Sequence, residues 1–282
     1  MEMASDRNKF AACLCLICVL FVMSCSTSKS QNQPENLSSE YDINANIKIA
    51  EIDNLGRIYV VTDKNILINY RPDFKEMYRH ANTKSGAISS IDVSNPLKIT
   101  VFYDNFNKLK IFDNTLTQIT EMNLSEKFSD ITACGSSNED SYWVYDPTQF
   151  KLLKINENAN VLLETSNLND FGMQDLNITD IREKSNIVLL TDRQKGFYIF
   201  DNLGQYAFHV PAIDILSFQF DGKNIIYYTR EGLKFYSITY KETHEITLPT
   251  DVKLDGCKFV IYHGQDFYVV YDKGIKLVKN QQ

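Results

Sequence analysis

Glycine and proline are scarce in this chain, at 11 and 6 of 282 residues, and tryptophan occurs once. That composition excludes collagen-like and other glycine- or proline-rich low-complexity chains. Asparagine is abundant instead, at 25 residues; its short amide tolerates the left-handed turn positions that usually call for glycine. Positive charge is also short, with Lys+Arg 29 against Asp+Glu 36 and a net charge of −7. A surface that grips nucleic-acid phosphates needs clustered Lys and Arg, so no nucleic-acid partner is expected. No stretch after Gln31 keeps a helical apolar period over three turns. HExxH, P-loop, GxGxxG and GxSxG motifs are all missing, and no CxxC occurs beyond residue 25. The four histidines (His80, His209, His244, His263) never reach metal-ligand spacing. No catalytic, cofactor-binding or metal-ligating residue is therefore assigned. What remains is 44% apolar residues with 16 Tyr and 17 Phe, enough for a packed core and suited to strands.

The first residues carry an address. Arg7 and Lys9 precede an uncharged apolar run from Phe10 to Met23, too short to span a bilayer, which takes about 20 residues. A basic start with a short apolar core is the layout of a secretory signal peptide. The run ends in Val22-Met23-Ser24-Cys25, which resembles the bacterial lipobox. That resemblance implies a lipid attached to Cys25 and removal of residues 1–24. Of six cysteines, Cys13, Cys15 and Cys18 would leave with the leader, so Cys134 and Cys257 alone would stay beside the lipidated one. Both sit in strand-like stretches, where an isolated cysteine is usually a small buried hydrophobe rather than half of a disulfide. Residues 26–39 are polar and unperiodic and read as a tether reaching roughly 20 Å. Ser26 follows Cys25 where an inner-membrane retention signal would have Asp. The expected address is the outer membrane, lipid-anchored, on the periplasmic face.

From residue 40 to 282 the chain repeats. A strand-like run ending in a marker residue, a short turn and a second strand-like run recur at Asp63, Asp104, Asp146, Asp192, Arg230 and Asp272, spaced by 41, 42, 46, 38 and 42 residues. Each unit has a further strand before it, and the first five have one after. Four short strands per 40–50 residues is the arithmetic of a β-propeller blade. The expected fold is all-β, one six-bladed propeller of four-stranded antiparallel blades. The sixth unit lacks an outer strand, and the segment Glu40–Ala45 is expected to supply it beside Ile275–Lys279. Tyr59-Val-Val-Thr-Asp63, Lys108-Leu-Lys-Ile-Phe-Asp113 and Asn54-Leu-Gly-Arg-Ile-Tyr59 resemble the NHL-type propeller repeat, which implies the fold and little about activity.

The marker aspartates are read as turn caps rather than calcium ligands, because one carboxylate per blade cannot supply the six to eight oxygens calcium takes. Trp143 is read as blade packing. The favoured function is a membrane-tethered protein-binding or scaffold module with an envelope protein as partner. The alternatives are a small-molecule or glycan binder, or a hydrolase of the six-bladed lactonase kind. An enzyme needs polar groups converging on the channel, for which the innermost strands offer Glu51, Asp92 and Asp180.

Overall fold

The computed structural model describes residues 38–81, 84–248, 252 and 254–279. They form six four-stranded antiparallel sheets arranged as a six-bladed propeller. The first strand, β1 (Ser38–Asp42), stands apart from its neighbours in sequence. Blade 1 holds β2 (Ile47–Ile52), β3 (Ile58–Thr62), β4 (Ile66–Tyr70) and β5 (Glu76–Ala81). Blade 2 holds β6 (Ser90–Asp92), β7 (Ile99–Tyr103), β8 (Lys108–Phe112) and β9 (Gln118–Asn123). In blade 3 these are β10 (Ala133–Ser136), β11 (Tyr142–Asp146), β12 (Lys151–Ile155) and β13 (Val161–Glu164). In blade 4 they are β14 (Ile178–Lys184), β15 (Ile187–Asp192), β16 (Gly196–Asp201) and β17 (Tyr206–Pro211). Blade 5 comprises β18 (Ser217–Phe220), β19 (Asn224–Thr229), β20 (Gly232–Ser237) and β21 (Glu242–Ile246). Blade 6 contributes β22 (Phe259–His263), β23 (Asp266–Val270) and β24 (Gly274–Val278). Its fourth strand is β1.

The core is divided among the seams between blades. The two middle strands of each blade are covered on both faces, which is why they read as unbroken apolar runs such as Ile58-Tyr-Val-Val-Thr62 rather than alternating ones. Side-chain alternation then deals successive residues to opposite seams. Ile58 and Val60 pack with Ile261, Tyr268 and Val270 of blade 6, whereas Tyr59 and Val61 pack with Ile91, Val101 and Tyr103 of blade 2. The same division recurs at the other seams. Trp143, fully buried, packs against Ile181, Val188 and Leu190 of blade 4, as its β context implies.

Ring closure follows the sequence reading. Strand β1 pairs antiparallel with β24, Ser38 opposite Val278 and Asp42 opposite Gly274. The pairing begins at Ser38, two residues inside the stretch read as tether. Ile43, 8% exposed, continues it, with its N–H donating to the Lys273 carbonyl at 2.8 Å. The Tyr41 ring stacks on Phe74 of blade 1 at 3.6 Å.

The marker aspartates behave in three ways. Asp146 accepts the Thr148 and Gln149 N–H groups at 2.8 and 3.1 Å, and Asp192 those of Gln194 and Lys195 at 2.9 and 3.1 Å. Asp104 reaches only the next N–H, of Asn105, at 2.7 Å. Asp63 and Asp272 cap no turn: one accepts from the Asn46 amide and the other ion-pairs with Lys258. A second aspartate turn lies at the end of the first or third strand. Asp53, Asp113 and Asp201 each accept the N–H groups two and four residues on, as does Asn156. The residue three positions on is left-handed in every case: Gly56, Gly204, Leu116 and Ala159. Asparagine fills further left-handed positions at 44, 65, 107 and 186. Cys134 is buried in β10 and Cys257 half-buried just before β22; both are free thiols.

Candidate functional site: the central channel

The innermost strands run parallel to one another around the channel. Between blades 5 and 6, for example, Ser217 meets the Val260 carbonyl at 3.0 Å and N–H at 3.2 Å. Two residues on, Gln219 meets the same pair of groups on Tyr262 at 2.9 and 2.6 Å. Similar side-chain-to-backbone bonds cross other seams. Lys48 Nζ reaches the Ile88 carbonyl at 2.8 Å, Lys258 Nζ the Ile47 carbonyl at 2.9 Å, and Asp92 Oδ2 the Ser136 N–H at 2.8 Å. The face where these strands end is called upper here, and the face where they begin lower.

One side chain crosses the channel. Arg182 of β14 donates from Nη2 to Glu51 Oε1 of blade 1 at 3.1 Å and to the Ile91 carbonyl of blade 2 at 2.9 Å. Its Nη1 donates to the Ile181 carbonyl at 3.0 Å, and its guanidinium lies 5.7 Å from the centre of the Phe218 ring of blade 5. Asp180, two residues back on the same face of β14, accepts from Arg193 Nη2 at 3.0 Å and from Thr179 Oγ1 at 2.8 Å. Arg193 continues to the Ile215 and Leu216 carbonyls at 3.2 and 2.8 Å. The three carboxylates offered by the sequence, Glu51, Asp92 and Asp180, are thus brought together around Arg182.

Their protonation differs by environment. Burial, reinforced by Asp180 and Asp92 and opposed by Arg182, lifts the Glu51 carboxyl to about 7. Burial also presses Asp180 upward, but Arg193 and Arg182 outweigh it and hold its carboxyl below the usual range. Arg182 stays charged because Asp92, Glu51 and Asp180 outweigh its desolvation.

The bridge stands between two cavities. The upper one, about 350 Å³, is lined on one side by Glu51, Asp92, Arg182 and Lys184 and on the other by Phe218, Phe220, Ile226 and Tyr262, with His263 at its mouth. The lower one, about 290 Å³, is lined by Lys48, Ser90, Asp180, Arg193 and Ile261 among others. Glu51 and Phe218 face both.

Sequence reasoning does not single out Arg182, Lys184, Arg193 or His263. A signal for Arg182 exists: Asp180 and Arg182 lie two apart, so a strand must place them on one face. Read from the sequence alone, that strand covers Ile178–Ile181 and stops one residue short. Among the described residues no group of three or more His, Cys, Asp or Glu could hold a metal ion. Cys25, the expected lipid-attachment residue, lies outside the described residues.

No protein-family model matches the chain, and no curated protein resembles it in sequence. Solved structures do resemble it in shape. A virginiamycin B lyase from Staphylococcus aureus aligns over 86% of this chain and 99% of its own, with 12% identity and a TM-score of 0.58. The WD40 domain of Neurospora crassa Pan2 aligns over 86% and 96%, with 10% identity and a TM-score of 0.58. A streptogramin B lyase gives 86% and 97%, 12% identity and 0.56. At such identities the likeness is one of fold. The chain is a six-bladed β-propeller, and a propeller fold is what it shares with these lyases and the WD40 domain.

Proposed function

We propose that the protein is a lipid-anchored module of the bacterial cell envelope that docks an envelope protein on its upper face, with the upper cavity as the socket. The observation that carries this reading is the cavity itself, backed by the Arg182–Glu51 bridge and opening among the turns of the upper face. Leu55 and Leu97, in neighbouring turns on that face, are 61% and 66% exposed. Exposed apolar side chains on the face where a part-polar, part-apolar recess opens suit protein docking. The anchor is the diacylglyceryl group on Cys25, the address the periplasmic face of the outer membrane, and the repeat an NHL-like one. Ser38 pairs with Val278 at the upper end of β24.

Cys25→Ser should move the protein from the membrane to the soluble fraction and abolish metabolic lipid labelling. A photo-crosslinking residue at Leu55 or Leu97 should capture a discrete envelope protein, whereas one at Phe106, on the lower face, should not. Equal capture from both faces, or unchanged fractionation of the Cys25 variant, refutes the respective half of the proposal. A second reading, a small-molecule binder or hydrolase, is favoured by the meeting of Glu51, Asp92 and Asp180 in the channel.

A further inference from the structure

The geometry points to a cationic group on an apolar stem as the occupant of the upper cavity, an ammonium or guanidinium carried by a free amine or by a partner's Lys or Arg side chain. This rests on the reading of that cavity as a binding site. The upper cavity is lined by Glu51, Asp92 and Asp221 against Arg182 and Lys184, so its wall carries one negative charge in excess. The other charged groups nearby have partners. Asp53 is ion-paired with Arg57 at 2.6 Å, and on the lower side Asp180 is ion-paired with Arg193 at 3.0 Å while Lys48 donates to the Ile88 carbonyl.

The excess is placed on Glu51. Its Oε1 takes the Arg182 bond, while Oε2 has no hydrogen-bond partner among the described residues, and the side chain keeps 24% of its surface accessible. Arg182 Nη2 already serves Glu51 and the Ile91 carbonyl, so it offers an incoming anion little, and such an anion would also meet Glu51 and Asp92. A cation instead completes the coordination of Oε2 and stabilises the ionised carboxylate. Its stem would lie along Phe218, Phe220, Ile226 and Tyr262, whose aromatic faces attract cations as well as apolar groups. Because the free carboxyl titrates near 7, binding below that pH displaces a proton.

The test is calorimetric titration of the protein with benzylammonium, N-acetyl-lysine amide, benzyl alcohol and benzoate. At pH 8 benzylammonium or the lysine amide should bind at least tenfold more tightly than benzyl alcohol, and benzoate more weakly still. Tighter binding of the lysine amide assigns the cation to a partner's side chain, and tighter binding of benzylammonium to a free amine. Glu51→Gln should remove the preference for cations without weakening benzyl alcohol. Titration at pH 6.5 in buffers of different ionisation enthalpy should show release of about half a proton or more per cation bound, falling towards zero at pH 8.5. Equal binding of benzyl alcohol or benzoate, lost in Asn54→Trp at the cavity mouth, overturns the charge assignment and leaves the cavity as a binding site. Absence of binding by all four probes, or binding indifferent to Asn54→Trp, overturns both.

Discussion

Glu51→Gln should stabilise the propeller, and only above pH 5. Glutamine keeps the shape of the protonated side chain and an oxygen for the Arg182 bond, but carries no charge to desolvate. In the native protein the Glu51 carboxyl is raised from 4.5 to about 7. A carboxyl raised by folding favours the folded state fully below its unfolded value and loses that contribution as pH climbs through its folded value. Native stability should therefore fall by about 1.4 kcal/mol for each pH step between 4.5 and 7, roughly 3 kcal/mol in all. With 24% of the side chain still accessible, solvent screening reduces this to about 2 kcal/mol. The variant lacks the loss, so the gap between variant and native protein should open by about 2 kcal/mol from pH 4.5 to pH 8. Urea denaturation at both values measures it, with unchanged m-values as the check that the unfolded state is the same. A gap that is constant with pH, or that widens toward acid, refutes the assignment of a buried, strained charge to Glu51.

Three further outcomes are expected. Deleting residues 26–36 should leave melting unchanged, whereas deleting 26–45 removes β1 and the buried Ile43 and should lower it by about 5–15 °C, taking about 2–4 kcal/mol for the lost strand and roughly 2–4 °C per kcal/mol. Gly135→Ala should destabilise by more than about 2 kcal/mol in thermal melts, because the new Cβ would lie 2.2 Å from the Ile181 carbonyl oxygen of blade 4, and packed backbone has no room to yield; a melt within a degree of native would contradict that close approach. Asp146→Ala should cost about 1–3 kcal/mol, since a buried carboxylate there takes two backbone N–H groups and two side-chain donors, while exposed Asp63→Ala should cost less than about 0.5 kcal/mol; similar losses at both sites would show that the turn bonds are not what matters.

The propeller is readable in the sequence because its middle strands are buried twice over. Runs such as Tyr142-Trp-Val-Tyr-Asp146 have few alternatives to a strand enclosed between two sheets, and their spacing counts the blades. Closure by β1 is readable for a different reason, an unpaired edge on β24 and an unassigned strand-like segment at the other end of the chain. The channel is readable only in part. Inner strands are short, and their polar residues look like solvent-facing ones until the ring is closed. Glu51, Asp92 and Asp180 can be offered as candidates on that ground, but Arg182 spans from blade 4 to blades 1 and 2, and no spacing within one repeat encodes such a reach. A single turn-cap role for every marker aspartate is too uniform. Asp63 and Asp272 occupy the same repeat position as Asp146, yet their neighbours Asn46 and Lys258 offer better partners than the turn does.

Strand β1 also sets a timetable. Among the described strands it is the first to be synthesised and its partner β24 the last, so the closing pair joins residues as distant as Ser38 and Val278. Such long-range closure is slow to form. Until β24 emerges, the disk is an open arc with bare strand edges at both ends. A chain cut short anywhere before β24 therefore yields no smaller working propeller. It leaves β1 without a mate and an arc ready to be degraded or to pair with its neighbours, so completeness of the polypeptide is inspected by the fold itself.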